Sequence, residues 1–160
     1  MTTGPRTTFR EARPDDAPCL ARLATQLGYP TTAEEAARRA ARVLGRPGHA
    51  VFVADVGGEV AGWLHVADSV SLESDPSAEI AGLIVAEAHR GSGIGAGLVA
   101  EAERWSRSRG AAVLRVRSNV TRVRARRFYE REGFVVTKSQ NNFVKSLGDR
   151  GISAPPGLQD

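Results

Sequence analysis

Arg90-Gly91-Ser92-Gly93-Ile94-Gly95-Ala96 follows an apolar run at 80–85 and opens a helical pattern that continues to about residue 108. A glycine-rich turn between a strand and a helix leaves several backbone N–H groups at a helix N-terminus with little side-chain cover. Those orphan amides and the helix dipole both favour an anion such as a phosphate. Three phosphate-binding patterns compete for the segment. A nucleoside-triphosphate loop needs Lys followed by Ser or Thr after its last glycine, and Ala96 and Gly97 stand there instead, which excludes it. A dinucleotide fingerprint is met by Gly91, Gly93 and Ala96 but also wants an acid about 20 positions on. The next strand ends Leu114-Arg115-Val116-Arg117-Ser118, without one. The third pattern, R/Q-x-x-G-x-G/A, is met by Arg90, Gly93 and Gly95.

Working outward, β-rich runs at 50–56 and 59–68 flank Gly57-Gly58 and predict a hairpin. Before it, a strand is expected over 7–11. A helix follows, capped by Asp15 or Asp16, with Pro18 in its first turn and Leu20, Leu23 and Leu27 on its buried face. Thr32-x-x-Glu35 is a capping box, and Gly45 closes the helix it opens. Residues 69–77 are polar and acidic and read as a loop, leading to a central strand over 78–85. After the glycine turn, Leu98, Ala102 and Trp105 recur at helical spacing and mark a core face, and Gly110 stops that helix. A strand at 111–117, a helix at 121–132 and two strands at 134–137 and 142–147 complete the walk.

With 160 residues the chain is most simply one domain, here 7–147, with flexible termini at 1–6 and 148–160. No apolar stretch approaches the ~20 residues of a membrane span, and the N-terminus lacks signal-peptide character. Cys19 is the only cysteine, and His49, His65 and His89 lack metal-ligand spacing. The expected protein is therefore cytoplasmic, a monomer or homodimer, without metal or membrane partner. The net charge is only +4, yet Arg104, Arg107, Arg109, Arg115, Arg117, Arg122, Arg124, Arg126, Arg127 and Arg131 crowd the second half. Nucleic-acid binding is one reading of that crowding. A solvated helix face is the better one, because no aromatics are interleaved for base stacking.

Downstream of the glycine loop stands Arg122-x-x-Ala125-x-x-Phe128-Tyr129-Glu130-x-x-Gly133-Phe134. Together with the loop and the hairpin, this chain resembles the GNAT superfamily of acetyl-CoA-dependent N-acetyltransferases over nearly all of 9–147. The resemblance implies an α/β (α+β) fold, with a mixed, mostly antiparallel twisted sheet of about six to seven strands and about four helices around a splayed central pair. It implies that the backbone of Leu83, Ile84 and Val85 pairs with the pantetheine arm of acetyl-CoA, an N–H near Leu83 serving as oxyanion donor. Arg90, Gly91, Ser92, Gly93, Ile94, Gly95 and Ala96 would take the pyrophosphate. Family members often carry an asparagine seven positions before the tyrosine of the last helix; here Arg122 stands there, with Asn119 close by, and both become candidates for holding the cofactor.

Glu79, eleven positions before Arg90, matches the place where several members carry a glutamate acting through water as the base. Period-two alternation would set it on one face with Ala81, Leu83 and Val85, where a carboxylate beside an apolar cleft suits proton abstraction. The alternative is a solvent-facing acid that merely attracts a cation. Tyr129 is the candidate acid for the leaving thiolate; an aromatic anchor is its alternative role. Trp63 and His65 alternate on one strand face and are at most acceptor contacts, packing being the commoner role for such residues, and Cys19 reads as core. Asp68, Glu73, Asp75 and Glu79 give the acceptor side an acidic bias, favouring an aminoglycoside-like sugar amine, a polyamine or a protein amine. The competing class is a CoA-binding or RNA-associated module, including aminoacyl-tRNA acetylation, using the arginine-rich half.

Overall fold

The computed structural model describes residues 4–26 and 28–149. The chain divides after Asn119 into two compact units. The first carries strands β1 (Thr7–Glu11), β2 (His49–Val56), β3 (Glu59–Ser71), β4 (Ser74–Val85) and β5 (Leu114–Val116), with helices α1 (Ala17–Gln26), α2 (Ala33–Val43) and α3 (Ile94–Ser108). The second carries α4 (Val123–Arg131). The strands form one sheet in the order β1-β2-β3-β4-β5. Every pairing is antiparallel except β4–β5, which is parallel. This is the mixed, mostly antiparallel α/β architecture expected.

Local chemistry accounts for the elements. Gly57 and Gly58 both adopt positive φ, 62° and 93°, the backbone a two-residue turn needs to match strand twist. Thr32 and Glu35 make the reciprocal capping box, at 3.1 Å and 3.0 Å. Ahead of α1 a short 3-10 turn ends at Asp16. That nearly buried carboxylate accepts from the Arg13 N–H at 2.7 Å and from both Arg10 guanidinium nitrogens at 2.8 and 3.0 Å. Leu23 is buried and Leu20 half-buried on the inner side of α1; Leu27 lies outside the described residues.

The two sheet faces bury different partners. On one, Leu64, Val66 and Ile80 share the core with Ile94, Leu98, Val99 and Ala102 of α3. Fully burying a leucine such as Leu98 contributes roughly 1.5–3 kcal/mol. Two glycines let α3 approach closely. A Cβ at Gly62 would lie 3.2 Å from Ile94 Cγ2 and 3.3 Å from Leu98 Cδ1, and one at Gly97 would lie 2.0 Å from the Phe9 ring. On the other face Val53, Val60 and Ile84 pack with Leu23 and Ala24 of α1, and Cys19 and Trp63 close that cluster. The reading of Cys19 as core holds.

Three expectations change. Residues 69–77 are not a loop: β3 and β4 run on as a hairpin to Ser71 and Ser74. Its tip is exposed on both faces, so no hydrophobic alternation betrays it. Pro76 is tolerated because β5 reaches β4 only from Ala78, leaving that edge without a partner needing the missing N–H. β5 itself is three residues long rather than seven. Finally, 134–137 and 142–147 form no strands, so the described residues hold five strands rather than six to seven. Val135, Val136, Phe143, Val144 and Leu147 there are exposed; β-propensity describes residues that suit a ladder, but a strand needs a neighbour to pair with.

Candidate active site

The site begins where β4 loses a neighbour. Its parallel ladder with β5 covers only Ala78, Glu79 and Ile80. The pairing with β3 steps from Ile80 opposite Val66 to Gly82 opposite His65, leaving Ala81 as an extra residue. Such a bulge bends and twists the strand that carries it. Beyond Ile80, therefore, one edge of β4 along Leu83, Ile84 and Val85 has no strand beside it among the described residues. An open strand edge of unpaired N–H and C=O groups is a template for an extended, amide-bearing ligand.

That edge leads into the glycine segment. The Ala86 N–H bonds to the Ala61 carbonyl at 2.7 Å, a single 3-10 turn spans Glu87–His89, and Arg90 emerges exposed. Gly91 and Gly93 have φ of 78° and 84°, with nothing within 4 Å of a Cβ built on either. The Ser92 hydroxyl donates to the His89 carbonyl, which folds the turn back on itself. Gly93 is the N-cap of α3, with no side-chain cap. Ile94 and Gly95 are buried under the helix, and Ala96 is half-buried. The amides at the start of α3 have no intrahelical partner, and no side chain caps them with a hydrogen bond. This cradle fits a pyrophosphate.

Glu79 stands at the fork, half-buried at the last rungs of the β4–β5 ladder. Its carboxylate accepts from Arg117 Nε at 2.8 Å and from a terminal guanidinium nitrogen at 3.1 Å, and the pair holds Arg117 more firmly protonated. The expected alternation does not survive the bulge. Glu79 lies opposite Ala67 and so shares a face with Trp63 and His65, and with their partners Ile84 and Gly82. Leu83 and Val85, opposite Leu64 and Gly62, fall on the α3 face. The Trp63 ring covers Gly82, where an added Cβ would come within 3.0 Å of it, and the buried Trp63 Nε1 has no hydrogen-bond partner.

His49 was not singled out from sequence, yet it stacks on His65 with ring centroids 5.3 Å apart and Nδ1···Nε2 at 3.0 Å. Burial, then the neighbouring His49, hold His65 below its ordinary 6.5. The sequence signal for this pair was the β2–β3 hairpin register, which sets Val51 opposite His65 and His49 opposite Ala67. Asp68 is a correction to the acidic acceptor surface. It falls on the α3 face and is bound by Arg109, whose Nε lies 2.8 Å from it and which also sits 5.2 Å from the Trp105 ring. Glu73 and Asp75 remain exposed near the β3–β4 turn.

In the second unit, Tyr129 is half-buried and meets Phe128 and Phe134 edge-on, with centroids 5.1 and 5.4 Å away. Burial raises its phenol above the usual 10.0 against a smaller opposing pull from Arg122, so it stays protonated at neutral pH. Arg122 is the exposed N-cap residue of α4, and Asn119 is the last residue of the first unit. Of the ten crowded arginines, Arg104, Arg107, Arg109, Arg117 and Arg126 pair with carboxylates. Among the described residues no helix is long and apolar enough to cross a membrane, and no cluster of three or more His, Cys, Asp or Glu forms a metal site.

The family model described as the acetyltransferase (GNAT) family matches residues 12–134. The chain belongs to the GNAT family. It is accordingly an acyltransferase, with acetyl-CoA as its co-substrate. Among solved structures, a protein described as a transcriptional regulator from Bacillus halodurans is 25% identical, covers 88% of this chain and 100% of its own, and superposes with a TM-score of 0.77. The aminoglycoside N-acetyltransferase AAC(6')-Iy in complex with CoA is 17% identical, with coverages of 91% and 98% and a TM-score of 0.82. An aminoglycoside acetyltransferase from an uncultured soil metagenomic sample, in complex with sisomicin, is 18% identical, with coverages of 89% and 97% and a TM-score of 0.75. No curated protein matches the sequence.

Proposed function

We propose that this GNAT acetyltransferase moves an acetyl group to a primary amine by direct transfer in a ternary complex. Glu79 is the base and Tyr129 the acid. The acceptor is a cationic small molecule, aminoglycoside-like or a polyamine, or a protein amine. The observation that carries the reading is the fork in the sheet: a carboxylate at the last β4–β5 rungs, already gripping a cation, beside an open strand edge that ends at uncapped helix amides.

Bound acetyl-CoA supplies the thioester, whose carbonyl carbon is attacked and whose sulfur leaves. The α3 amides and the 83–85 edge hold the donor by main-chain contacts, so its placement rests on the rigid sheet and helix. A backbone N–H near Leu83 donates to the developing oxyanion. Glu79 takes the proton of the acceptor ammonium through water, because only the neutral amine has a lone pair to attack with. Tyr129, kept protonated by burial, gives its proton to the departing sulfur; its role follows from the Phe128-Tyr129-Glu130 motif. A carboxylate facing the acceptor also selects for positive charge, and the two aminoglycoside acetyltransferases of the same fold act on acceptors of that kind.

Calorimetric titration with acetyl-CoA and, in parallel, NADH tests the donor, with micromolar binding expected for acetyl-CoA alone. A thiol-release screen of amines then identifies the acceptor. With that acceptor, Glu79→Gln should lower kcat by about 10²-fold at neutral pH, within the range of general-base contributions. An unchanged pH–rate profile in that variant would reject Glu79 as the base.

A further inference from the structure

We propose that Arg117 is a built-in stand-in for the acceptor's cation, a latch that occupies Glu79 until an amine displaces it. The inference rests on Glu79 acting as the base. Arg117 lies one residue beyond β5, where the parallel ladder has ended. Its guanidinium engages both oxygens of the Glu79 carboxylate, at 2.8 and 3.1 Å. Each oxygen of the base therefore already accepts an N–H when no acceptor is present, and the guanidinium fills the edge of the carboxylate that an incoming ammonium or water would otherwise approach. The two partners differ sharply in exposure: the Arg117 side chain is 71% exposed and that of Glu79 23%. The carboxylate is thus held by the sheet, whereas the guanidinium reaches it from solvent on a flexible stem.

An ion pair with one partner so exposed binds weakly and exchanges readily with another cation. An acceptor ammonium offers the same charge and the same N–H donors, so it competes for this one position. Arg117 then has two consequences. It sets an entry requirement: an acceptor must carry a positive charge to open the site, and a neutral nucleophile such as water cannot. It also protects the thioester. Without the latch, Glu79 is free to activate water, which would attack the acetyl carbonyl; a C–O bond forms, the C–S bond breaks, the sulfur is protonated, and acetate and CoA are released without any amine.

The test is amine-independent thiol release from acetyl-CoA by the full chain carrying Arg117→Gln, with acetyl-CoA binding and the melting midpoint as controls for folding. The expected result is hydrolysis raised about fivefold or more. Millimolar guanidinium ion should return it to the wild-type level by refilling the vacated position, and Arg117→Lys should lie between the two. Hydrolysis that stays at the wild-type level while acetyl-CoA still binds overturns the latch and leaves the base assignment standing. Raised hydrolysis that guanidinium does not suppress also overturns it. Raised hydrolysis that persists in the Glu79→Gln/Arg117→Gln double variant sinks the base assignment instead, since the activated water would then owe nothing to that carboxylate.

Discussion

The two ends of β4 offer different chemistry. Toward Val85 the strand offers backbone, an open edge followed by two positive-φ glycines and a helix N-terminus that no side chain caps. Toward Glu79 it offers side chains: a carboxylate and its guanidinium partner, with the indole and the two imidazoles on the same sheet face. A backbone site depends on side chains being absent, and it tolerates almost any sequence on the elements around it. A side-chain site depends on register, and one extra residue at Ala81 decides which groups share a face.

The sharpest break in that comparison is Gly93→Glu, which strikes the backbone end alone. A side chain there must adopt a φ of 84°, costing roughly 1–2 kcal/mol, and its carboxylate would bring negative charge to the amides proposed to take the phosphate. Acetyl-CoA affinity measured by calorimetry should fall by at least about 100-fold. Gly93→Ala carries the strain without the charge and should lose far less. Equal losses in the two variants would mean that the turn's conformation, rather than its anion-binding amides, is what the glycine protects.

The next effect is on the scaffold both ends share. Because a Cβ at Gly97 would overlap the Phe9 ring, Gly97→Ala forces α3 or β1 to shift, at about 1–3 kcal/mol for overpacking. A melting midpoint lower by several degrees is expected, with part of the loss recovered in Gly97→Ala/Phe9→Leu. No recovery in the double variant would place the strain somewhere other than this contact.

The sequence was legible in proportion to how local the determining chemistry is. The Gly57-Gly58 turn, the Thr32–Glu35 box and the glycine loop each state their geometry within a few residues, and all are present in the structure. Glu79 was found by its distance from Arg90, but its face was misjudged, because a bulge leaves no mark in a period-two pattern. Arg117 and His49 went unnoticed as partners, since each meets its mate only through strand pairing across many residues of chain. Gly97 was read only as a residue that is not Ser or Thr, because its reason is a ring on β1. The run at 142–147 has strand-like composition without a strand, for pairing is a property of two segments and not of one.

The smallest expected effect probes the His65 face of the sheet through stability. His65 is held below its ordinary 6.5 by burial and then by His49, so the folded protein prefers it neutral more than the unfolded chain does. Its contribution is fully present above pH 6.5 and is lost as pH falls through the lower folded value. Asp16 and Asp68 act in a separate window. Each is held below the usual 3.8, Asp16 chiefly by Arg10 and Asp68 chiefly by Arg109, so their contributions are present above that value and disappear only in stronger acid. Thermal melts between pH 7.5 and 5 should therefore show the midpoint of the wild-type chain falling by a few degrees, with His65→Gln flattening that limb while leaving the decline below pH 4 intact. If both proteins lose the same amount above pH 5, His65 does not set the pH response in this range, and this face of the sheet is as indifferent to pH as the backbone end of β4.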